Sequence, residues 1–169
     1  MENIRKVMHG DEKALAYVQT ESWKAAFNDL IPEDVLVHST DLNKATAMYQ
    51  RLLDMEKGNG YILEIDGKPH CIAWWDAARD EDMQGAAELI CIHSLKENWG
   101  KGYGHLMMER ILEDVQKAGY PQIMLWVFDT NARAIGFYKA HGFVSTGRKQ
   151  PAFGAVEERY IKNLNSEGE

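Results

Sequence analysis

Apolar positions change their period repeatedly along this chain of 169 residues. Ile4 and Val7 frame a short first strand over residues 4–7. Leu15, Val18, Trp23 and Phe27 then recur at near-helical intervals and predict a helix capped by Asp11. Pro32 opens a second helical piece containing Asp34, Val35 and Leu36. Over residues 42–55, Ala45, Met48, Tyr49, Leu52 and Leu53 form one apolar face of a third helix.

The pattern then turns extended. Residues 61–65 and 70–75, joined at Asp66-Gly67, read as a β-hairpin. A polar loop over 79–85 leads to a strand at 86–94. A helix follows over 102–118, with Leu106, Met107, Ile111, Leu112 and Val115 on one side and Glu109, Arg110, Glu113, Asp114 and Lys117 opposite; Gly119 and Pro121 end it. The apolar run 123–128 predicts a strand covered on both faces. A short helix over 131–140 closes at Gly142, and strands at 143–147 and 156–162 pair antiparallel. Helices on both faces of one mixed sheet, an α/β fold of the α+β kind, pack these elements as a single domain over 1–164. The tail, 165–169, is expected to be disordered.

Composition narrows the classes. A net charge of −7 lacks the basic surface that nucleic acid requires. No run approaches the roughly 18 apolar residues of a membrane span, and the first residues carry no basic-then-apolar leader. Cys71 and Cys91 cannot form a disulfide framework, and their apolar neighbours suggest thiols in a reducing compartment. The expected location is cytoplasmic. The six histidines show no paired metal-ligand spacing, so no metal is expected.

Glycines at 100, 102 and 104 stand between the fourth strand and an apolar helix. Without Cβ atoms, backbone N–H groups can close on an anion, and a helix start adds partial positive charge. That dipole contributes only about 0.3–2 kcal/mol, so several N–H groups must share the binding. Lys96, Lys101 and His105 add local positive character. A P-loop is excluded because Gly102, not a hydroxyl residue, follows Gly100-Lys101. A dinucleotide fold is excluded because no acid stands near Tyr120, about 20 residues on.

The segment from Glu88 through Gly104, followed by Asn131-Ala132-Arg133-Ala134-Ile135-Gly136-Phe137-Tyr138-Lys139-Ala140-His141-Gly142-Phe143, resembles the GNAT superfamily of acyl-CoA N-acyltransferases. Residues 131–143 match its Asn-x-x-Ala-x-x-Phe-Tyr-x-x-x-Gly-Phe signature at every specified position. Its pyrophosphate motif, Gln/Arg-x-x-Gly-x-Gly/Ala, matches except that Trp99 replaces Gln/Arg and Lys96 takes a frequent proline position. The resemblance implies a twisted, mostly antiparallel sheet of about seven strands and acetyl-CoA as cosubstrate. It also implies cofactor contacts from Ile92, His93 and Ser94, from Trp99, Gly100, Lys101, Gly102, Tyr103, Gly104 and His105, and from Asn131. Tyr138 takes the role of general acid toward the leaving sulfur.

The acceptor is then an amine, of a small molecule or a protein. With a pKa near 10.4 it is neutral in only about one molecule per thousand at pH 7, so a base is useful. Glu88 stands where the protein-acetylating branch keeps its glutamate base, and His93 is the runner-up. Simple alternation places Glu88, Ile90 and Ile92 on one face and Leu89, Cys91 and His93 on the other, unless a bulge intervenes. Trp23, Phe27 and Asp29 are candidate acceptor contacts, with Trp74, Trp75 and Trp126 as apolar wall and Asp76 a second candidate counter-charge. An acyl-cysteine route through Cys91 lacks an orienting third group. A non-catalytic acyl-CoA-binding or sensing module is the other class. Residues 148–154 are candidates for a substrate lid or a homodimer contact.

Overall fold

The computed structural model describes residues 1–164; the predicted tail lies outside them. The strands are β1 (Glu2–Lys6), β2 (Asn59–Ile65), β3 (Lys68–Ala77), β4 (Ala87–Ser94), β5 (Gln122–Phe128), β6 (Val144–Ala152) and β7 (Ala155–Asn163). The helices are α1 (Glu12–Phe27), α2 (Glu33–Ser39), α3 (Leu42–Asp54), α4 (Tyr103–Lys117) and α5 (Ala132–Ala140). The seven strands form one sheet in the order β1-β2-β3-β4-β5-β7-β6. Only β4 and β5 run parallel.

Each sheet face carries its own core. Met107, Met108, Ile111 and Val115 of α4 pack on Leu63, Leu89, Ile123, Leu125 and Val127, with α5 added through Ile135, Phe137 and Tyr138. Leu15 and Val18 of α1 and Tyr49 of α3 cover Ile62, Ile72 and Trp74 on the opposite face. Alternation along β2 and β3 thus feeds both cores, while β5 reads as continuously apolar because Ile123, Leu125 and Val127 enter the α4 core and Met124 and Phe128 are buried on the other face. A third cluster, Ile31, Leu36 and Phe128, joins the α1–α2 connection to the end of β5.

Three local readings need correction. Asp11 stands at the N-cap of α1, but its side chain makes no cap bond: the carboxylate accepts from the Met8 N–H and from both terminal nitrogens of Arg5, so an ion pair outcompetes the cap. Strand β6 runs on to Ala152, taking in residues 148–152, because its partner β7 is long enough to pair with it. The two strands meet at Phe153-Gly154, both at positive φ, a two-residue turn of the type that matches strand twist. Finally, Trp74 and Trp75 are no acceptor wall. They are buried on opposite faces, with indole N–H groups bonded to the Lys57 carbonyl and the Tyr61 hydroxyl.

Candidate active site

Strands β4 and β5 pair at only two positions, Ala87 with Ile123 and Glu88 with Met124. Beyond them β4 stays paired with β3 as far as Ser94 and β5 with β7 as far as Phe128, but not with each other, leaving a cleft between the two strands. At the mouth of that cleft lies the glycine loop.

Gly100 (φ +79°) and Gly102 (φ +87°, the N-cap of α4) hold left-handed conformations with open space where a Cβ would sit. Gly104 differs: a Cβ there would lie 3.3 Å from the ring of Phe137, so this glycine lets α4 approach α5. Among the described residues, none of the N–H groups from residue 100 to residue 105 donates to a protein acceptor. Six unpaired donors at a helix start fit a diphosphate. The Trp99 N–H is not among them, because it bonds the Lys96 carbonyl. Its indole N–H donates to the Ser94 carbonyl across 3.0 Å, occupying one lone pair of a predicted cofactor contact. Tyr103 packs on the α4 core, and Lys101 is exposed. His105 stands 2.9 Å from His141 and 3.3 Å from the Glu109 carboxylate.

The signature over 131–143 has a physical reading at both ends. Asn131 caps α5, its Oδ1 accepting the Ala134 N–H, while its amide NH2 has no partner among the described residues. Gly142 at φ +91° follows the C-cap; its N–H bonds the Lys139 carbonyl and that of Phe143 bonds the Tyr138 carbonyl. This is the Schellman arrangement, completed by the contact of the Phe143 and Tyr138 rings at 5.9 Å. The motif therefore fixes where Tyr138 stands. Its half-buried hydroxyl has no hydrogen-bond partner among the described residues, and burial raises its pKa.

On β4 a bulge at Ile90 resets the alternation: Trp74 pairs with Cys91 and Trp75 with Leu89. Ala87, Leu89 and Ile92 all reach the α4 core, so Glu88, Cys91 and His93 share the opposite face, contrary to simple alternation. Glu88 is buried, and its carboxylate accepts the Arg79 backbone N–H and Nε at Oε1 (both 3.1 Å) and an Arg79 terminal nitrogen at Oε2 (2.7 Å). Three of about four acceptor positions are filled. Nε2 of His93 accepts the Trp23 indole N–H at 3.2 Å, and desolvation pushes the imidazole down to about 4. Burial pushes the Cys91 thiol up to about 12.

Trp23 also packs edge-on against Phe27 (4.9 Å) and Phe153 (5.1 Å), and Phe27 meets Phe128 (5.1 Å). The predicted aromatics therefore come together beside β5, with the β6–β7 turn over them. Asp29 does not join: it is exposed after α1 and makes no hydrogen bond or ion pair among the described residues. Asp76 is paired with Lys57 at 3.0 Å. Trp126 lines a cavity of about 320 Å³ with Asp80, Glu81, Asp82, Arg148 and Gln150. Arg159, buried beneath, binds Asp80 and Asp82, so two of those acids are already countered.

Sequence reasoning missed Arg79. The available signal was Glu88 itself, since a buried acid demands a cation. It also missed Arg133, whose guanidinium lies 3.5 Å above the Trp99 ring.

Comparison with known proteins places the chain in a family and a fold. Residues 23–143 match the model of the acetyltransferase (GNAT) family. The uncharacterized N-acetyltransferase YuaI of Bacillus subtilis (strain 168) is 27% identical over 146 residues, 83% of this chain and 79% of that protein. The paia N-acetyltransferase of Thermoplasma acidophilum, crystallised with coenzyme A, superposes with a TM-score of 0.78 at 18% identity, covering 96% of this chain and 99% of that one. The putative acetyltransferase yncA of Salmonella typhimurium, solved with acetyl-CoA, gives 0.75 at 16% identity, covering 100% and 97%. The chain belongs to the acetyltransferase (GNAT) family and is an acyltransferase.

Proposed function

We propose that this protein moves an acetyl group from acetyl-CoA to a primary amine, of a small molecule or a protein, by direct attack of the amine on the thioester. The observation that carries the reading is the set of unpaired N–H groups over residues 100–105 at the mouth of the β4–β5 cleft. Two solved relatives of this fold hold coenzyme A or acetyl-CoA. When bound, acetyl-CoA supplies a carbonyl open to attack and a sulfur that leaves with the bonding electrons.

In this reading Asn131 holds the cofactor arm through its free amide, and the edge of β4 at Ile92, His93 and Ser94 lines it. Tyr138 gives the sulfur its proton. The raised phenol pKa keeps that proton in place at neutral pH, and a thiolate formed in the same desolvated surroundings is itself a stronger base. Glu88 takes the amine proton through the acceptor position that Arg79 leaves open. Trp23 and Phe27 form the acceptor wall. His93, neutral and engaged by Trp23, serves as part of that wall and not as the base.

The test is thiol release from acetyl-CoA across a panel of amines, with wild type and Tyr138→Phe. Turnover that falls in the variant while coenzyme A affinity stays supports the reading. A wild-type protein that binds coenzyme A but acetylates none of the amines favours the non-catalytic module.

A further inference from the structure

Arg133, exposed at the start of α5, is the arginine stacked on the residue that opens the glycine loop. Arg5, Arg79, Arg110, Arg148 and Arg159 each sit against a carboxylate, while Arg51 on α3, like Arg133, makes no ion pair among the described residues. Arg133, on a chain of net charge −7, has no hydrogen bond or ion pair among the described residues. It occupies the first turn of α5, where the helix dipole disfavours positive charge. Desolvation lowers its pKa. What holds it is the Trp99 indole, with the guanidinium carbon 3.5 Å from the ring centroid.

That indole opens the loop whose N–H groups at 100–105 are free, and it is tied to the end of β4 through the Ser94 carbonyl. Arg133 is also within electrostatic reach of Tyr138. A planar, five-donor cation thus stands beside the first residue of the glycine loop. The stack sets a guanidinium from α5 against the indole that opens the loop.

We infer that Arg133, stacked on Trp99, is a phosphate-recognition residue that selects a phosphorylated acyl carrier over a phosphate-free one. The inference rests on the proposed coenzyme A reading. A guanidinium in this place offers paired N–H donors from its edge to phosphate oxygens while keeping its face against the indole. Lysine would keep the charge and lose both the fork and the stack.

Calorimetric titration of wild type, Arg133→Gln and Arg133→Lys with coenzyme A, 3′-dephospho-coenzyme A and pantetheine tests this, with thermal unfolding as the check on folding. Arg133→Gln is expected to weaken coenzyme A binding about tenfold or more, the loss of a charge-assisted hydrogen bond, with Arg133→Lys recovering only part. Pantetheine affinity should stay the same. An equal loss with the dephospho compound places the contact at the diphosphate; a loss confined to coenzyme A places it at the 3′-phosphate. A folded Arg133→Gln protein that binds coenzyme A like wild type, or one that loses pantetheine by the same factor, overturns the inference alone. Wild type that binds no coenzyme A overturns the underlying reading with it.

Discussion

Trp23 of α1 donates its indole N–H to Nε2 of His93 on β4 across 3.2 Å. Because indole is only a donor, Nε2 must be the bare nitrogen and the proton sits on Nδ1. Desolvation holds this neutral form, pushing the pKa down to about 4 from an ordinary value near 6.5. In the unfolded chain the imidazole protonates first as pH falls. Stability above about pH 6.5 is therefore unaffected, and it declines as pH drops toward 4, by roughly 3 kcal/mol at the lower end. Urea midpoints between pH 7.5 and 4.5 should fall more steeply for wild type than for His93→Gln, whose amide oxygen still accepts from Trp23. Parallel curves would contradict the assignment.

Glu88 and Arg79 separate a stability role from a chemical one. Removing the guanidinium in Arg79→Ala strands a buried carboxylate. The loss should be about 1–3 kcal/mol, below that of a fully buried pair because Arg79 is largely exposed. Glu88→Gln leaves unpaired only the largely exposed Arg79 charge; its expected effect is on turnover, down about 10²–10⁴. Thermal unfolding and kcat measured on both variants check the split. Full turnover in Glu88→Gln would remove Glu88 as the base.

Cys91 shares a face with Glu88 and His93, the geometry an acyl-cysteine route would want. Its thiol is nevertheless pushed up to about 12 by burial, so thiolate is scarce at neutral pH. Native protein at pH 8 should resist iodoacetamide at both Cys71, likewise raised to about 12, and Cys91. Both should be alkylated once the chain is unfolded. Rapid labelling of native Cys91, seen by mass spectrometry, would reopen the covalent route.

Phe153 sits at φ +54°, a conformation that costs a side chain about 1 kcal/mol. Its ring contacts with Trp23 and Phe128 hold it there. Phe153→Ala loses the contacts and keeps the strain; Phe153→Gly loses the contacts and relieves it. Thermal denaturation should rank wild type above Phe153→Gly, and Phe153→Gly above Phe153→Ala by about 1 kcal/mol. An alanine variant more stable than the glycine one would contradict the strain.

Much of this molecule could be read before it was seen in three dimensions, where local chemistry decides the outcome. Gly142 past the end of α5 and the Asp66-Gly67 turn are set by backbone conformation alone, and both appear where expected. The glycine loop and Tyr138 were legible because two spaced signatures carried them. What was not legible depends on contacts between distant residues. The Ile90 bulge moved His93 and Cys91 onto the face of Glu88, and nothing local to β4 demands a bulge there. Asp11 looked like a cap until Arg5 claimed it. Trp74 and Trp75 looked like pocket wall because their indole partners, Lys57 and Tyr61, lie on other elements.

The central claim is that the backbone at 100–105 holds a diphosphate, and calorimetric titration with coenzyme A meets it directly. Gly102 supplies the control, since a Cβ there would project into open space at the cradle from a backbone that only glycine adopts freely. Wild type should give one-site binding heat, and Gly102→Val should bind about tenfold or more weakly. No heat with wild type, or equal affinity in the variant, would contradict the account.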